Sequence, residues 1–327
     1  MIRGKIAGIG SYVPERILTN QELTTIVDTS DEWITTRTGI KERHIAEEHE
    51  DTSDMCVNAA RPALEMAGFK PEDIDLVIAG TVTPDYRLPS LSCIIQKKLG
   101  LINAATMDIV AACAGFIHGL SIAQAYIQSG NYKSILVFGS EKLSSITNYN
   151  DRNTCILFGD GAGAAVVTPS DDDSGILATY LKSDGRLGEL LHIPAGGTNL
   201  PFAGNGSADR SYYCIQMNGS EVFKYAVRYM GDAAANVVNQ AGLTSDKVDL
   251  LVPHQANIRI IKATAARLHI PMEKVFLNLE RYGNTSAASV PLALDEAVRS
   301  GRIKPGDNVL SVAFGGGLTW GAVLIRW

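Results

Sequence analysis

No apolar run in this chain approaches the ~18 residues that a membrane-crossing helix requires. Its start, Ile2 to Gly10, lacks the long apolar core of a signal peptide and reads as a first strand. The expected compartment is the cytoplasm, with no membrane partner. No CxxC and no Cys/His ligand spacing occurs, and the cysteines at 56, 93, 113, 155 and 214 are odd in number, so neither a disulfide framework nor a metal site is suggested. There is no basic run and the net charge is −6, which argues against non-specific binding to nucleic acid. Any anionic ligand must be met by a local patch. No Pro- or Ser-rich linker divides the chain. What is there is ordinary globular composition, 46% hydrophobic and 20% charged over 327 residues, enough for a large core or two similar domains.

Two stretches are written twice. Ala67 to Gly80 (AGFKPEDIDLVIAG) resembles Ala241 to His254 (AGLTSDKVDLLVPH), each reading as a helix end, an acidic loop and a buried strand. The helix, glycine and strand of Ile117, Gly130 and Phe138 recur in the same order at Pro291, Gly301 and Ala313. The pattern predicts a duplicated α/β unit of about domain size. The boundary is expected in the polar turn cluster Pro169 to Gly175, giving halves 1–172 and 173–327. Ala195 to Gly206 reads as a long surface loop. The repeat sets Gly80 opposite His254 and, with Gly130 against Gly301, Cys113 opposite Asn284. These are strand-end positions, and ligands of open α/β sheets bind beyond the carboxyl ends of strands.

Cys113 lies in Met107 to Phe116 (MDIVAACAGF), where a β-type run from Thr106 to Val110 gives way to small residues. A helical pattern follows, with Phe116, Ile117, Leu120, Ala123 and Ile127 on one face. Unpaired N–H groups at a helix start stabilise a thiolate, so a lowered pKa and a nucleophile are expected. A free cysteine is also a small buried hydrophobe in many proteins, and this stretch alone leaves both readings open.

His254 sits in Leu250 to Asn257 (LLVPHQAN), as a hydrogen-bond donor to a carbonyl or as a structural histidine. His44, His49 and His269 lie in polar surroundings and are expected to be exposed, and His118 to be structural. Asn284 either caps the next helix or offers its amide to an oxyanion. Phe158 to Ala164 (FGDGAGA) lacks the full GxGxxG and runs into a β-like stretch, which excludes dinucleotide binding there. The three glycines Gly315 to Gly317 make a tight turn or line an oxyanion pocket with backbone N–H groups. The helix after His254 puts Arg259, Lys262 and Arg267 on one side and Ile258, Ile261, Ala265 and Leu268 on the other. Its cations either flank a site entrance or are simply solvated.

Taken together, Ala111 to Gly115 (AACAG), Val252 to Asn257 (VPHQAN), Gly283 to Ser289 (GNTSAAS) and Phe314 to Gly317 (FGGG) resemble the β-ketoacyl-[acyl-carrier-protein] synthase III family of bacterial type II fatty acid synthesis. Asp28 to Ile34 (DTSDEWI) and Arg37 to Ile40 (RTGI) resemble it as well, and the likeness runs from residue 2 to residue 327. The resemblance implies an α/β thiolase fold, a duplicated five-layer αβαβα arrangement. It implies a catalytic triad of Cys113, His254 and Asn284. The His/Asn pair separates this group from elongating synthases, which use two histidines, and from thiolases, which use a second cysteine. Plant-type polyketide synthases share the triad, but their other signatures are absent here. A secondary-pathway condensing enzyme using the same triad remains the alternative. Retention of the triad argues against a non-catalytic acyl-binding member.

The implied reaction has two halves. Cys113 takes an acyl group from a short acyl-CoA, the oxyanion being held by the N–H groups of Cys113 and Gly316. His254 and Asn284 then donate to the thioester carbonyl of malonyl-carrier protein while CO₂ departs. By the same resemblance, Trp33 and Arg152 sandwich the adenine of CoA and Arg37 meets phosphate. Thr29, Gly219, Phe223 and Asn257 line the pantetheine tunnel. Lys224 and Arg259 dock the acidic acyl carrier protein. A homodimer is implied, with acyl-CoA as substrate and no further cofactor or metal. One departure is Leu88, in Asp85 to Leu88 (DYRL), where acetyl-preferring members often carry phenylalanine. In the family this residue reaches across the dimer interface to cap the acyl pocket. The stretch 195–206 also looks longer than is usual.

Overall fold

The computed structural model describes residues 2–201 and 209–327. Residues 202–206 of the expected surface loop therefore lie outside the described residues. Nine strands build two sheets. They are β1 (Gly4–Tyr12), β2 (Leu76–Gly80), β3 (Ala105–Ile109), β4 (Ile135–Glu141), β5 (Gly161–Pro169), β6 (Gly175–Ser183), β7 (Leu250–Pro253), β8 (Asn308–Gly315) and β9 (Thr319–Arg326). The first sheet has the order β1-β5-β4-β2-β3, and the second β6-β9-β8-β7. In each, the two strands next to the first are antiparallel and the pair beyond them is parallel. Where β3 flanks β2 in the first sheet, a single bridge from Leu251 to Val275 flanks β7 in the second.

Among the described residues seven helices have eight residues or more: α1 (Asp31–Thr38), which packs on α6, and α2 (Thr52–Ala67), α3 (Leu91–Leu99), α4 (Gly115–Ser129), α5 (Gly219–Gln240), α6 (Ile258–Arg267) and α7 (Ser289–Arg299), which cover the sheets. The layering follows from the period-2 alternation of the strands. In β4, Leu136 and Phe138 pack outward with Met55 and Ala59 of α2 and Ile95 of α3. Ile135 and Val137 point the other way, onto Phe116, Leu120 and Ile127 of α4 and Leu294 of α7. Val252, Val309 and Val323 of the second sheet close on the same middle layer. Leu251, Leu310 and Leu324 face outward onto Val222, Met230 and Val237 of α5 and Ile261 of α6. The five-layer αβαβα order expected from the resemblance is thus present.

Helix α4 carries the apolar face expected of it, with Phe116, Ile117, Leu120, Ala123 and Ile127 all buried, and it ends at Gly130 in the left-handed region, φ 74. Its counterpart α7 ends at Gly301, φ 69. These glycines match as the repeat requires, but the registration at the site is different. Leu76 pairs with Ile135 as Leu250 pairs with Val309, so strands and strand ends correspond. The 3₁₀ turn Ala112–Ala114 before α4 then corresponds to Ser286–Ala288 before α7, each opening on a left-handed residue, Ala112 (φ 44) and Ser286 (φ 49). Cys113 is therefore opposite Ala287, not Asn284. The reason is that α7 has 11 residues and α4 has 15, so aligning their final glycines displaces their starts by nearly a turn.

Candidate active site

Strand β4 ends at the turn of the opposite half, and so does β8. A Cβ on Gly139 would stand 2.1 Å from the carbonyl oxygen of Ala287. One on Gly315 would stand 2.6 Å from the nitrogen of Cys113. Only glycine permits either approach. The two 3₁₀ turns are thereby brought between the ends of the two sheets, and Cys113 is carried there.

Cys113 is partly accessible through cavities on either side of it, yet protein surrounds the sulfur. Burial pushes its thiol up to about 12, and the Glu141 carboxylate adds to the rise. The Ser286 side chain and the cysteine's own backbone N–H oppose it. The lowered pKa expected from a helix start is therefore corrected. The α-helix begins at Gly115, Cys113 precedes it in the 3₁₀ turn, and desolvation outweighs the N–H groups.

His254 follows β7, its N–H donating to Val312 O at 2.8 Å. It is buried, and with no ionic partner to offset desolvation its pKa falls to about 3. The imidazole is neutral and keeps one N–H to donate. Nδ1 has no hydrogen-bond partner among the described residues. Gln255 fixes this loop from below. Its N–H donates to Ser289 Oγ at 2.7 Å, its Nε2 to the carbonyls of Pro253 (2.8 Å) and Phe276 (3.1 Å), and its Oε1 accepts from Asn278 N (3.1 Å). Asn284 is held against residues 157–159, its N–H on Leu157 O (2.8 Å) and its carbonyl accepting from Gly159 N (3.0 Å). Asn284 Oδ1 accepts from Ser286 N at 2.9 Å, which leaves Nδ2 as the donor to offer.

Cys113, His254 and Asn284 line one cavity of about 120 Å³, together with Gly219, Phe223 and Asn257. An outer cleft of about 970 Å³ shares Leu157, Met217, Gly219, Phe223 and Asn257 with it and reaches Trp33, Arg37, Lys224 and Arg259 at the surface. A second cavity, about 410 Å³ and largely apolar, lies against Cys113 and includes Gly316, Ser286, Val82, Val110, Leu143, Ile146 and Ile215. Thr29 and Leu88 line none of the three cavities. Leu88 is 88% exposed.

The other expected residues acquire definite partners. Arg37 and Arg152 lie over the Trp33 ring, at 4.5 and 5.0 Å from its centroid, so a base enters between Trp33 and Arg152 only if the guanidinium withdraws. Asn257 caps α6 through Arg259 N (2.8 Å) and donates to Arg37 O (3.0 Å). Arg259 lies 5.1 Å from the centre of the Phe223 ring, and Lys224 pairs with Glu221 at 2.6 Å. Arg267 is ion-paired with Asp232, which removes it from the free basic face and leaves Arg259 and Lys262. His44 is half-buried, not exposed, because its Nδ1 lies against Pro14 O. The glycine-rich run at 158–164 leads into β5, as a non-nucleotide reading requires.

Sequence reasoning missed Glu141, Ser286, Gln255 and His192. His192 lines both the outer cleft and the apolar cavity. Glu141 did leave a signal, a carboxylate closing the otherwise uncharged run Ile135 to Ser140. Among the described residues no group of three or more His, Cys, Asp or Glu could hold a metal ion, and no helix is long and apolar enough to cross a membrane.

Comparison with known proteins gives a consistent result. The model of the family 3-oxoacyl-[acyl-carrier-protein (ACP)] synthase III matches residues 107–185, and the model of that family's C-terminal region matches 238–327. The chain is 54% identical over 326 residues to the β-ketoacyl-[acyl-carrier-protein] synthase III of Caldanaerobacter subterraneus subsp. tengcongensis, covering 100% of this chain and 98% of that protein. The crystal structure of 3-oxoacyl-[acyl-carrier-protein] synthase III from Aquifex aeolicus is 52% identical with a TM-score of 0.92, covering 99% of this chain and 100% of that one. The priming β-ketosynthase of a polyketide biosynthetic pathway is 41% identical with a TM-score of 0.92, covering 99% and 96%.

Proposed function

The chain belongs to the β-ketoacyl-[acyl-carrier-protein] synthase III family, and from that membership we propose that Cys113, His254 and Asn284 divide between them the two halves of its decarboxylative condensation. The enzyme is an acyltransferase that condenses an acyl-CoA primer with malonyl-acyl-carrier protein to give 3-ketoacyl-carrier protein and CO₂ at the start of fatty acid synthesis. The observation that carries the residue assignment is the single cavity lined by all three side chains and continuous with the outer cleft.

In the first half-reaction Cys113 Sγ attacks the thioester carbonyl, the oxyanion sits on backbone N–H groups of Cys113 and Gly316, and CoA leaves. In the second, the neutral His254 and the Nδ2 of Asn284 donate to the malonyl thioester carbonyl. They stabilise the enolate formed as CO₂ departs, and that carbon attacks acyl-Cys113. Because carbon–carbon cleavage supplies the carbanion, no base need abstract a carbon-bound proton, and a histidine held neutral by burial suffices.

The cleft serves CoA and the pantetheine arm: Trp33 for the adenine with Arg152 over its ring, Arg37 for phosphate, and Gly219, Phe223 and Asn257 for the arm, with Thr29 assigned to the arm from the family resemblance and not from the cleft's lining. Lys224 and Arg259 at its mouth suit an acidic carrier protein against a chain of net charge −6. The apolar cavity beside Cys113 suits the acyl chain, with an exposed Leu88 free to cap the pocket of a second copy in a homodimer. The halves 1–172 and 173–327 are two domains of one cytoplasmic enzyme that needs no cofactor. Intact-mass analysis after addition of acetyl-CoA tests the reading: one acetyl group on Cys113 is expected, and its absence from folded protein contradicts it. A primer panel from acetyl- to longer and branched acyl-CoA, each with malonyl-carrier protein, then sets the chain length.

A further inference from the structure

One buried carboxylate takes no part in the reaction just described. Glu141 closes β4 with no exposed surface. Its Oε2 accepts from Thr81 Oγ1 at 3.1 Å, Val82 N at 3.0 Å and Thr83 Oγ1 at 2.6 Å. Its Oε1 accepts from the Ser286 hydroxyl at 3.1 Å. Ser286 lines the same apolar cavity as Cys113, and its side chain favours the cysteine's thiolate against burial. A single hydroxyl, bonded to a buried carboxylate, thus faces the cavity that the nucleophile lines. Ser286 is fixed there by its left-handed backbone, φ 49, and by its N–H on Asn284 Oδ1.

We propose that Glu141, acting through the Ser286 hydroxyl, accepts the Cys113 proton as the sulfur attacks the acyl-CoA carbonyl. The inference rests on the reading of Cys113 as acyl acceptor. As the Sγ–H bond breaks, its electron pair forms the new sulfur–carbon bond. The proton passes to Ser286 Oγ, which in the same movement gives its own proton to Glu141 Oε1. The negative charge leaves the carboxylate and appears on the thioester oxygen, so the enclosed site holds one negative charge throughout. Collapse of the tetrahedral adduct expels CoA as thiolate, and the proton held by Glu141 goes back through Ser286 to the Cys113 thiolate that condensation releases. Glu141 touches no substrate atom and is a positioning residue for the proton.

Two features favour Glu141 over His254 for this role. Burial lifts Glu141 to about 7, matched to a general base at neutral pH, whereas His254 lies at about 3 and is a weak base. Free ionisation of Cys113 would place a second negative charge beside Glu141, and the carboxylate's charge already raises the thiol. The charged and titratable groups around Glu141 leave this arrangement intact. Cys56 on α2 is a thiol pushed high by burial and feels Asp85 and Asp108 as well as Glu141. Asp85 is engaged by Ser53, and Asp108 by the N–H groups of Leu91 and Ser92. Lys142, next in the chain, turns its ammonium to the carbonyls of Glu47, Glu48 and Glu50.

The test is single-turnover transfer from acetyl-CoA to the full-length protein, followed by intact mass between about pH 5.5 and 8.5. The wild-type rate is expected to rise with pH through an inflection near 7. Glu141→Gln and Ser286→Ala are each expected to slow transfer about a hundredfold and to lose that inflection, with acetyl-CoA affinity little changed. Circular dichroism and thermal melts confirm the fold of each variant. Ser286→Ala leaves the other three donors to Glu141 in place, so it separates the relay from a packing role. The proposal is overturned if either folded variant acylates at the wild-type rate, or if both slow equally at every pH and keep the inflection. If the wild type acquires no acyl group on Cys113, the function reading falls and this inference with it.

Discussion

The two halves share a backbone and differ in what stands at the strand ends. In the N-terminal half the turn before the central helix carries Cys113, and in the C-terminal half the equivalent turn carries Ala287, fully buried. The second strand ends in Gly80 in one half and leads to His254 in the other. Strand β4 ends in Glu141 and its counterpart β8 in Gly315, and each of these ends meets the opposite turn. The edges differ too. Strand β3 runs for five residues beside exposed Ile102 and Val110, whereas its counterpart is one bridge at the buried Val275. On the proposed reading one scaffold serves two chemistries, a nucleophile with a carboxylate behind it and a pair of neutral donors, and Cys113, His254 and Asn284 line one cavity.

The sharpest way to break this comparison is to move the thiol. Cys113→Ala is expected to lower acyl transfer by at least about a thousandfold, read as loss of the acyl adduct. Adding Ala287→Cys in that background restores nothing, because Ala287 lines neither of the cavities that flank Cys113. The extra sulfur also overpacks the site, by about 1–3 kcal/mol, visible as a lower melting temperature. An acyl adduct at position 287 would mean that the halves differ only in residue identity, not in access. Next in size, His254→Ala is expected to lower CO₂ release from malonyl-carrier protein by about 10²–10³ while leaving Cys113 acylation within a few-fold. Equal loss in both half-reactions would contradict the division of labour. Smaller again, Lys224→Glu is expected to raise KM for malonyl-carrier protein about tenfold, with a weaker salt dependence and little effect on acylation from acetyl-CoA.

Much of this was legible in the residues. The repeat of Ala67 to Gly80 in Ala241 to His254 gave the duplication, because a helix end, a 3₁₀ turn and a buried strand impose the same apolar spacing wherever they occur. The layer order and the triad came from resemblance. The charge state of Cys113 was not legible: a short-range pattern shows a helix start, whereas desolvation depends on what the other half places around the sulfur. The same holds for Glu141 and Ser286, 145 residues apart and joined only when the halves pack. Arg267 read as a free cation for a related reason, since its partner Asp232 lies on another helix.

The smallest effect compares the buried titratable groups of the two halves, and their signs oppose. Glu141 is raised from 4.5 to about 7, so the folded state holds a proton that the unfolded chain has lost. Its contribution to stability is fully present below about pH 4.5 and is lost as pH rises through about 7. His254 is lowered from 6.5 to about 3, so the unfolded chain binds the extra proton, and its contribution is present above about pH 6.5 and lost as pH falls through about 3. Each slope is about 1.4 kcal/mol per pH unit. Between about pH 4.5 and 6.5 they cancel. Urea unfolding across this window should therefore separate them: relative to wild type, Glu141→Gln makes stability rise with pH and His254→Asn makes it fall. Parallel curves for all three proteins would show that neither strand end holds its group away from water. Opposed slopes would show that each half keeps its own titratable group uncharged, the carboxyl on one side and the imidazole on the other, and that His254 owes its neutrality to burial.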